Sequence, residues 1–192
     1  MPVELSGLFE GPVMAVAPRL IGCRLSTRFE GVLTELVIDE VEAYGGSDDP
    51  ASHAFNGRSR RNVSMFEAAG TLYVYRAYGI HWCANVVTGR VGDPAAVLIR
   101  GGIPSRGMKT MKVRRGRSDR LADGPGKVCA ALGITGDHDG SSLEDGPVRL
   151  AAADRPYAGD IEAGPRIGIS RATERPWRFV ARGPGRSSLA LS

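Results

Sequence analysis

The sequence predicts an α+β (mixed α/β) fold. Short apolar runs of strand length recur along the chain with turn residues between them, and only a few stretches have helical character. The 26 glycines and 12 prolines point the same way, because both residues shorten elements and multiply turns. At 192 residues the chain is expected to form one domain, 1–192, with a buried core.

The elements are expected in this order. Gly11–Leu20 reads as a short helix opened by Pro12, which suits a first turn because it has no N–H to satisfy. Pro18 sits inside that helix and kinks or ends it. Cys23–Phe29 and Thr34–Glu42 read as strands around a Glu30-Gly31 turn. After Tyr44 comes GGSDDPASHAFNGRSRRN, a polar loop with room for a short helix. Gly70–Tyr75 and Ile80–Val87 read as the arms of a hairpin, and Ala95–Arg100 as a further strand. Gly107–Arg120 is basic and helical, and Gly124–Leu132 starts Gly-Pro-Gly and continues as a helix. Pro147–Leu150, Arg166–Ser170 and Trp177–Ala181 are short strands, and residues 183–192 are expected to fray.

Composition excludes several classes. No run of about 18 apolar residues is present, so no membrane span is expected. The first ten residues, MPVELSGLFE, carry acids and no apolar stretch, so they do not read as a signal peptide. The three cysteines (Cys23, Cys83, Cys129) are far apart and form no CxxC, so neither a zinc site nor a disulfide framework is expected. A reduced, cytoplasmic setting follows, nucleoid-associated if the source is bacterial. The formal net charge is +4 but is unevenly placed. Residues 100–127 hold nine Lys/Arg against Asp119 and Asp123, and residues 137–162 hold seven acids against Arg149 and Arg155. The basic stretch suits phosphates, and equally suits a solvated helix face.

Only 6% of residues are aromatic, yet GTLYVYRAYGIHWCANV holds Tyr73, Tyr75 and Tyr78 within six positions. Tyr73 and Tyr75 share one strand face, and Tyr78 precedes Gly79, where the chain should turn. In TELVIDEVEAY, Glu40, Glu42 and Tyr44 share a face too. Asn85 lies on the return arm, and Arg100 ends the next strand. Carboxylate, arginine, amide and aromatic faces together can enclose a flat heterocycle beside a positioned water.

The segments IDEVEAYGGSDDPASHAFNGRSRRNVSMF, GTLYVYRAYGIHWCANV, AAVLIRG, DGPGKVCAALGI and RIGIS occur in that order. Together they resemble the alkyladenine DNA glycosylase family, the mammalian type of 3-methyladenine DNA glycosylase. The resemblance runs from about Pro12 to Arg182 and is specific because several spaced motifs keep their order. It implies a curved, mainly antiparallel sheet with surrounding helices and a β-hairpin that inserts into DNA. It also implies a monomer that excises alkylated or deaminated purines from double-stranded DNA with no metal and no cofactor. Residue by residue, Glu42 matches the general base, and Arg100 and the Ile167 carbonyl match the groups that hold its water. Tyr44, His53 and Tyr75 match the walls around the extruded base. Asn85 matches an amide that crowds the 2-amino group of guanine, and Tyr78 the residue that fills the duplex gap. Arg58 and Lys127 match contacts to the DNA backbone. Glu40 is expected to be structural, Trp82 and Cys83 to pack, and Asp119 and Asp123 to be solvated charges; His81 has no assigned place.

Two other classes use part of this set. A non-enzymatic module for damaged DNA needs the tyrosines and the cations but not Glu42 with Arg100. A hydrolase of free nucleosides has no use for a wedge at Tyr78.

Overall fold

The computed structural model describes residues 6–153 and 157–182. In chain order its elements are α1 (Ser6–Phe9), α2 (Val13–Arg19), β1 (Arg24–Phe29), β2 (Val32–Tyr44), β3 (Leu72–Ala77), β4 (His81–Thr88), β5 (Ala95–Arg106), α3 (Met108–Arg115), α4 (Pro125–Leu132), β6 (Val148–Ala151), β7 (Asp160–Gly164) and β8 (Arg178–Arg182). Short 3₁₀ turns lie at Gly46–Asp48, Val63–Phe66 and Gly136–His138.

The eight strands form one antiparallel sheet, as the α+β expectation requires. Its main path is β3-β4-β5-β2-β1-β6. The long strand β2 is its axis. One edge of β2 pairs with β5 from Glu35 to Tyr44. The other edge pairs first with β1 from Val32 to Val37, then with β8 from Glu40 to Glu42. β8 in turn carries β7. Register breaks in the β2–β5 ladder flank Glu40, and such bulges bend a strand and increase its twist. The sheet is accordingly curved.

Apolar residues of β2 (Leu36, Ile38, Val41) join Val97 and Ile99 of β5 in the main core. Val16 and Leu20 from α2 and Val128 and Leu132 from α4 complete it. The four-residue α1 is too short to stand alone. Phe9 anchors it at 1% exposure, and burying such a side chain is worth roughly 1.5–3 kcal/mol.

Several boundaries differ from the expectation, each for a physical reason. Pro18 lies within α2, which stops one residue later at Arg19, so it ends the helix. β5 runs past the expected end at Arg100, through Gly101 and Gly102, to Arg106. α3 ends at Arg115 because Gly116 takes the left-handed conformation. β7, of sequence DIEAG, was not expected; it is an edge strand with weak strand propensity. The expected strand Arg166–Ser170 does not form. There the alternation is inverted: Arg166 is 5% exposed and Ile167 49% exposed, and Gly168 has φ 76°. The expected fraying of 183–192 lies outside the described residues.

Candidate active site

The β3–β4 hairpin places the tyrosines. Tyr73 stands opposite Asn85 and Tyr75 opposite Cys83. Being two apart on a strand, the two tyrosine rings lie on one face and stack, with centroids 5.6 Å apart. At the tip the Ile80 N–H donates to the Ala77 carbonyl at 3.0 Å. Tyr78 and Gly79 have φ 51° and 68°, the left-handed pair that a type I′ turn requires. Glycine accepts this conformation freely; for a tyrosine it is strained by about 1–3 kcal/mol. Tyr78 is 86% exposed, and Ile80 beside it 66%. The hairpin is braced from behind, which gives His81 and Trp82 their places. A Cβ on Gly126 of α4 would lie 2.8 Å from the His81 Cβ, and one on Gly136 would lie 2.7 Å from the Trp82 ring.

Beside the hairpin lies a cavity of about 750 Å³. Tyr44, His53, Tyr75, Asn85, Arg100 and Ile167 all line it, as do Tyr73, Tyr78, Arg61 and Arg171. The fold thus gathers the expected base-pocket residues from strands β2–β5 and two loops.

Glu42 is fully buried and lies beside this cavity without lining it. Three donors hold its carboxylate. The Ile167 N–H donates to Oε1 at 2.7 Å, the Tyr44 hydroxyl donates to Oε2 at 2.9 Å, and the Arg100 guanidinium donates to Oε2 at 3.3 Å. Tyr44, Arg100 and Ile167 all line the cavity themselves. Burial, reinforced by the Glu42 anion, pushes the Tyr44 hydroxyl well above the ordinary tyrosine range, so it stays protonated and donates. Glu40 braces two arginines: its Oε1 accepts from Arg100 Nε at 3.0 Å and from Arg178 Nε at 2.7 Å.

His53 has one possible tautomer. Arg61 is a donor only and lies 2.9 Å from Nε2, so Nε2 accepts. Nδ1 then carries the proton and donates to the Tyr73 hydroxyl at 3.0 Å. Burial, and secondarily the Arg61 charge, lowers the imidazole to about 4, so the ring is neutral. It meets Tyr75 edge-on at 4.4 Å. Asn85 is oriented with equal definition. Its amide nitrogen donates to the carbonyls of Tyr73 (3.0 Å) and Cys83 (3.4 Å), which leaves Oδ1 as its free acceptor.

Five of the nine cations of the basic segment pair with acids, and its two aspartates, partly solvated as expected, are among the partners. Asp123 binds Lys127 at 2.8 Å and Arg120 at 2.6 Å. Desolvation alone would raise the Asp123 carboxyl; the two cations outweigh it and hold it at about 2. Asp119 pairs with Arg117, and Arg106 with Glu35. Arg114 donates to the Thr34 hydroxyl and the Ala131 carbonyl, and Arg115 to the Leu121 carbonyl. Lys109 and Lys112 are exposed without an acidic partner among the described residues. Arg58 pairs with Glu67 at 3.4 Å across the surface. The exposed Arg171 at the cavity wall has no acidic partner among the described residues.

Sequence reasoning missed Arg61, Arg171, Arg178 and the Asp49–Arg166 pair. No spacing could have found the last: its partners are 117 residues apart.

Comparison with known proteins gives a consistent result. The family model described as methylpurine-DNA glycosylase matches residues 7–185. A relative from Rhodopseudomonas palustris (strain BisB18) is 49% identical over 91% of this chain and 85% of its own length. One from Granulibacter bethesdensis is 49% identical over 93% and 86%, and one from Methanoculleus marisnigri 44% identical over 93% and 94%. All three bear the provisional name 3-methyladenine DNA glycosylase.

Proposed function

Because the chain belongs to the methylpurine-DNA glycosylase family, we propose that its cavity receives a damaged purine flipped out of duplex DNA and that Glu42 directs the hydrolysis of its N-glycosidic bond. The general activity follows from the family: a DNA glycosylase of base excision repair that acts on alkylated purines. The observation that carries the specific reading is the buried Glu42 carboxylate, held by three donors that themselves line an aromatic cavity.

A base inside a duplex hides its glycosidic bond, so the nucleotide must leave the stack at a cost of a few kcal/mol. Tyr78, exposed on its rigid turn, fills the gap. The extruded base lies between the rings of Tyr44, Tyr75 and His53, against the Asn85 amide. Methylation at N3 or N7 makes a purine cationic, and an aromatic face favours a cation by roughly 0.5–2 kcal/mol. As the bond breaks, positive charge develops on the sugar. The Glu42 carboxylate stabilises that charge and accepts the proton of the attacking water, which Arg100 and the Ile167 carbonyl hold. Glu42 lies below the cavity wall, so substrate must open the route between Arg100, Tyr44 and Ile167. Catalytic contacts commonly tighten only in the substrate complex. No lysine lines the cavity among the described residues, which supports hydrolysis to an abasic site and a free base rather than strand cleavage through a Schiff base.

The test is one panel of duplexes, each carrying 3-methyladenine, 7-methylguanine, hypoxanthine or ethenoadenine, treated with alkali after incubation to cut abasic sites. Excision of at least one lesion is expected. Binding with no alkali-labile product on any duplex would replace this reading with that of a damage-binding module.

A further inference from the structure

Arg166 has no part in the steps above, yet it is among the most deliberately housed side chains in the protein. Its guanidinium lies between two rings, 4.7 Å from the centroid of Tyr44 and 5.1 Å from that of Trp177. One terminal nitrogen donates to the Ala43 carbonyl at 2.9 Å and to Asp49 Oδ2, the other to Asp49 Oδ1 at 2.8 Å. Both side chains of the pair are fully buried. Asp49 also accepts the N–H groups of Gly45 (3.1 Å) and Ala51 (3.2 Å), and Arg175 stands 3.8 Å away. Desolvation would raise the Asp49 carboxyl, but Arg166 and these amides outweigh it and keep it below the usual range.

As a stabiliser this arrangement is poor. Buried ion pairs are often no better than apolar packing of the same volume, and Arg166 Nε is buried with no acceptor, a further cost. What the arrangement does well is fix geometry. It clamps the backbone at Ala43, the residue after Glu42, and the ring of Tyr44. It also fixes the chain immediately before Ile167. Two of the three donors to Glu42, the Tyr44 hydroxyl and the Ile167 N–H, therefore depend on groups that Arg166 holds. A lysine could keep the charge but not the planar fork or the double stack.

We propose that Arg166, anchored by Asp49, is a positioning residue for Glu42: it sets the Tyr44 ring and the Ile167 amide that orient the carboxylate. The proposal rests on Glu42 as the catalytic carboxylate.

The experiment compares wild type, Arg166→Lys and Trp177→Leu. The latter removes one stacking face and leaves Asp49 paired. Two quantities are measured: the single-turnover excision rate at saturating protein, and the Kd for a duplex with a tetrahydrofuran abasic analogue in place of the lesion. Small displacements at a catalytic centre can cost up to a hundredfold, so a rate loss of about tenfold to a hundredfold is expected. Kd should stay within about threefold, the split that marks a loss confined to the transition state. In a Glu42→Gln background Arg166→Lys should cost no further rate, because its effect passes through that carboxylate. Unchanged rates in both folded variants overturn the proposal, as do parallel losses of rate and binding. Failure of both to fold assigns the pair to the fold and overturns it too. A wild type that binds lesion duplexes but excises nothing removes the function itself, and this proposal with it.

Discussion

Arg100 joins two carboxylates at once: its Nε lies 3.0 Å from Glu40 Oε1 and its terminal nitrogen 3.3 Å from Glu42 Oε2. Glu40 faces solvent in part, while Glu42 does not. The two acids are therefore unequal, and substitution should separate them. Glu42→Gln keeps the shape but can neither accept a proton nor hold negative charge. It should bind lesion duplexes normally and lose roughly 10²–10⁴ in single-turnover excision rate. Glu40→Gln loosens Arg100 without touching the base, so its loss should be smaller, of about tenfold. A Glu42→Gln protein within about threefold of wild type would sink the assignment.

Tyr78 and Tyr75 should fail in different ways. On the proposed reading Tyr78→Ala removes the group that fills the gap, so holding a nucleotide out should become harder by up to the few kcal/mol of unstacking. Its defect should be largest for a well-paired lesion and shrink opposite a mismatch. Tyr75→Ala removes a cavity wall, so its defect should persist in every context. Excision rates of both variants on one lesion in paired and mismatched duplexes decide this; a uniform loss for Tyr78→Ala refutes the wedge.

The salt dependence of DNA binding should identify the cations that meet phosphate. Each neutralised phosphate contributes about −0.9 to the slope of log K against log salt. Arg171 has no acid to release among the described residues and lines the cavity, so Arg171→Ala should flatten the slope by about one unit. Lys127 must first part from Asp123. Lys127→Ala should therefore flatten it by less, and Asp123→Asn, which frees two cations, should tighten binding at low salt. Equal slopes for wild type and all three variants would place phosphate contacts elsewhere.

His53 should titrate well below the ordinary histidine value. Burial, and secondarily the Arg61 charge, lowers its ring to about 4. An NMR titration should find its midpoint below the reference of about 6.5, and Arg61→Met should raise it. As pH falls from about 6.5 the unfolded chain takes up a proton that the folded one refuses, so stability from this group declines with falling pH until the folded value is passed. Between pH 7 and 8 both states are mostly neutral and no His53-linked change in stability is expected. A midpoint at or above 6.5 would mean that Nε2 does not accept from Arg61.

The sequence made much of this legible because local rules placed it. Alternation in IDEVEAY and in TLYVY put Glu42 with Tyr44 and Tyr73 with Tyr75, and the Tyr-Gly pair marked the turn. The resemblance supplied roles that no period could. What stayed hidden depends on distant partners. Arg166–Ser170 reads as a strand because its alternation is real, but the inward residue is the arginine, which is tolerable only beside Asp49. Likewise the charge count in 100–127 was right, yet its availability depended on Asp123 sitting between Arg120 and Lys127.

The pairing of β2 with β8 has a consequence for the order in which a working molecule is made. Glu40 and Arg178 are 138 residues apart. At a synthesis rate of roughly 5–20 residues per second, about 7–28 s separate the emergence of the two from the ribosome. Once β4 has emerged, partway through that interval, the Tyr78 hairpin can form, since its strands are neighbours in the chain, while Glu42 still awaits the Ile167 amide and Glu40 still awaits Arg178. A nascent chain thus forms the exposed Tyr78 turn well before Glu42 gains its Ile167 donor and Glu40 its Arg178 partner.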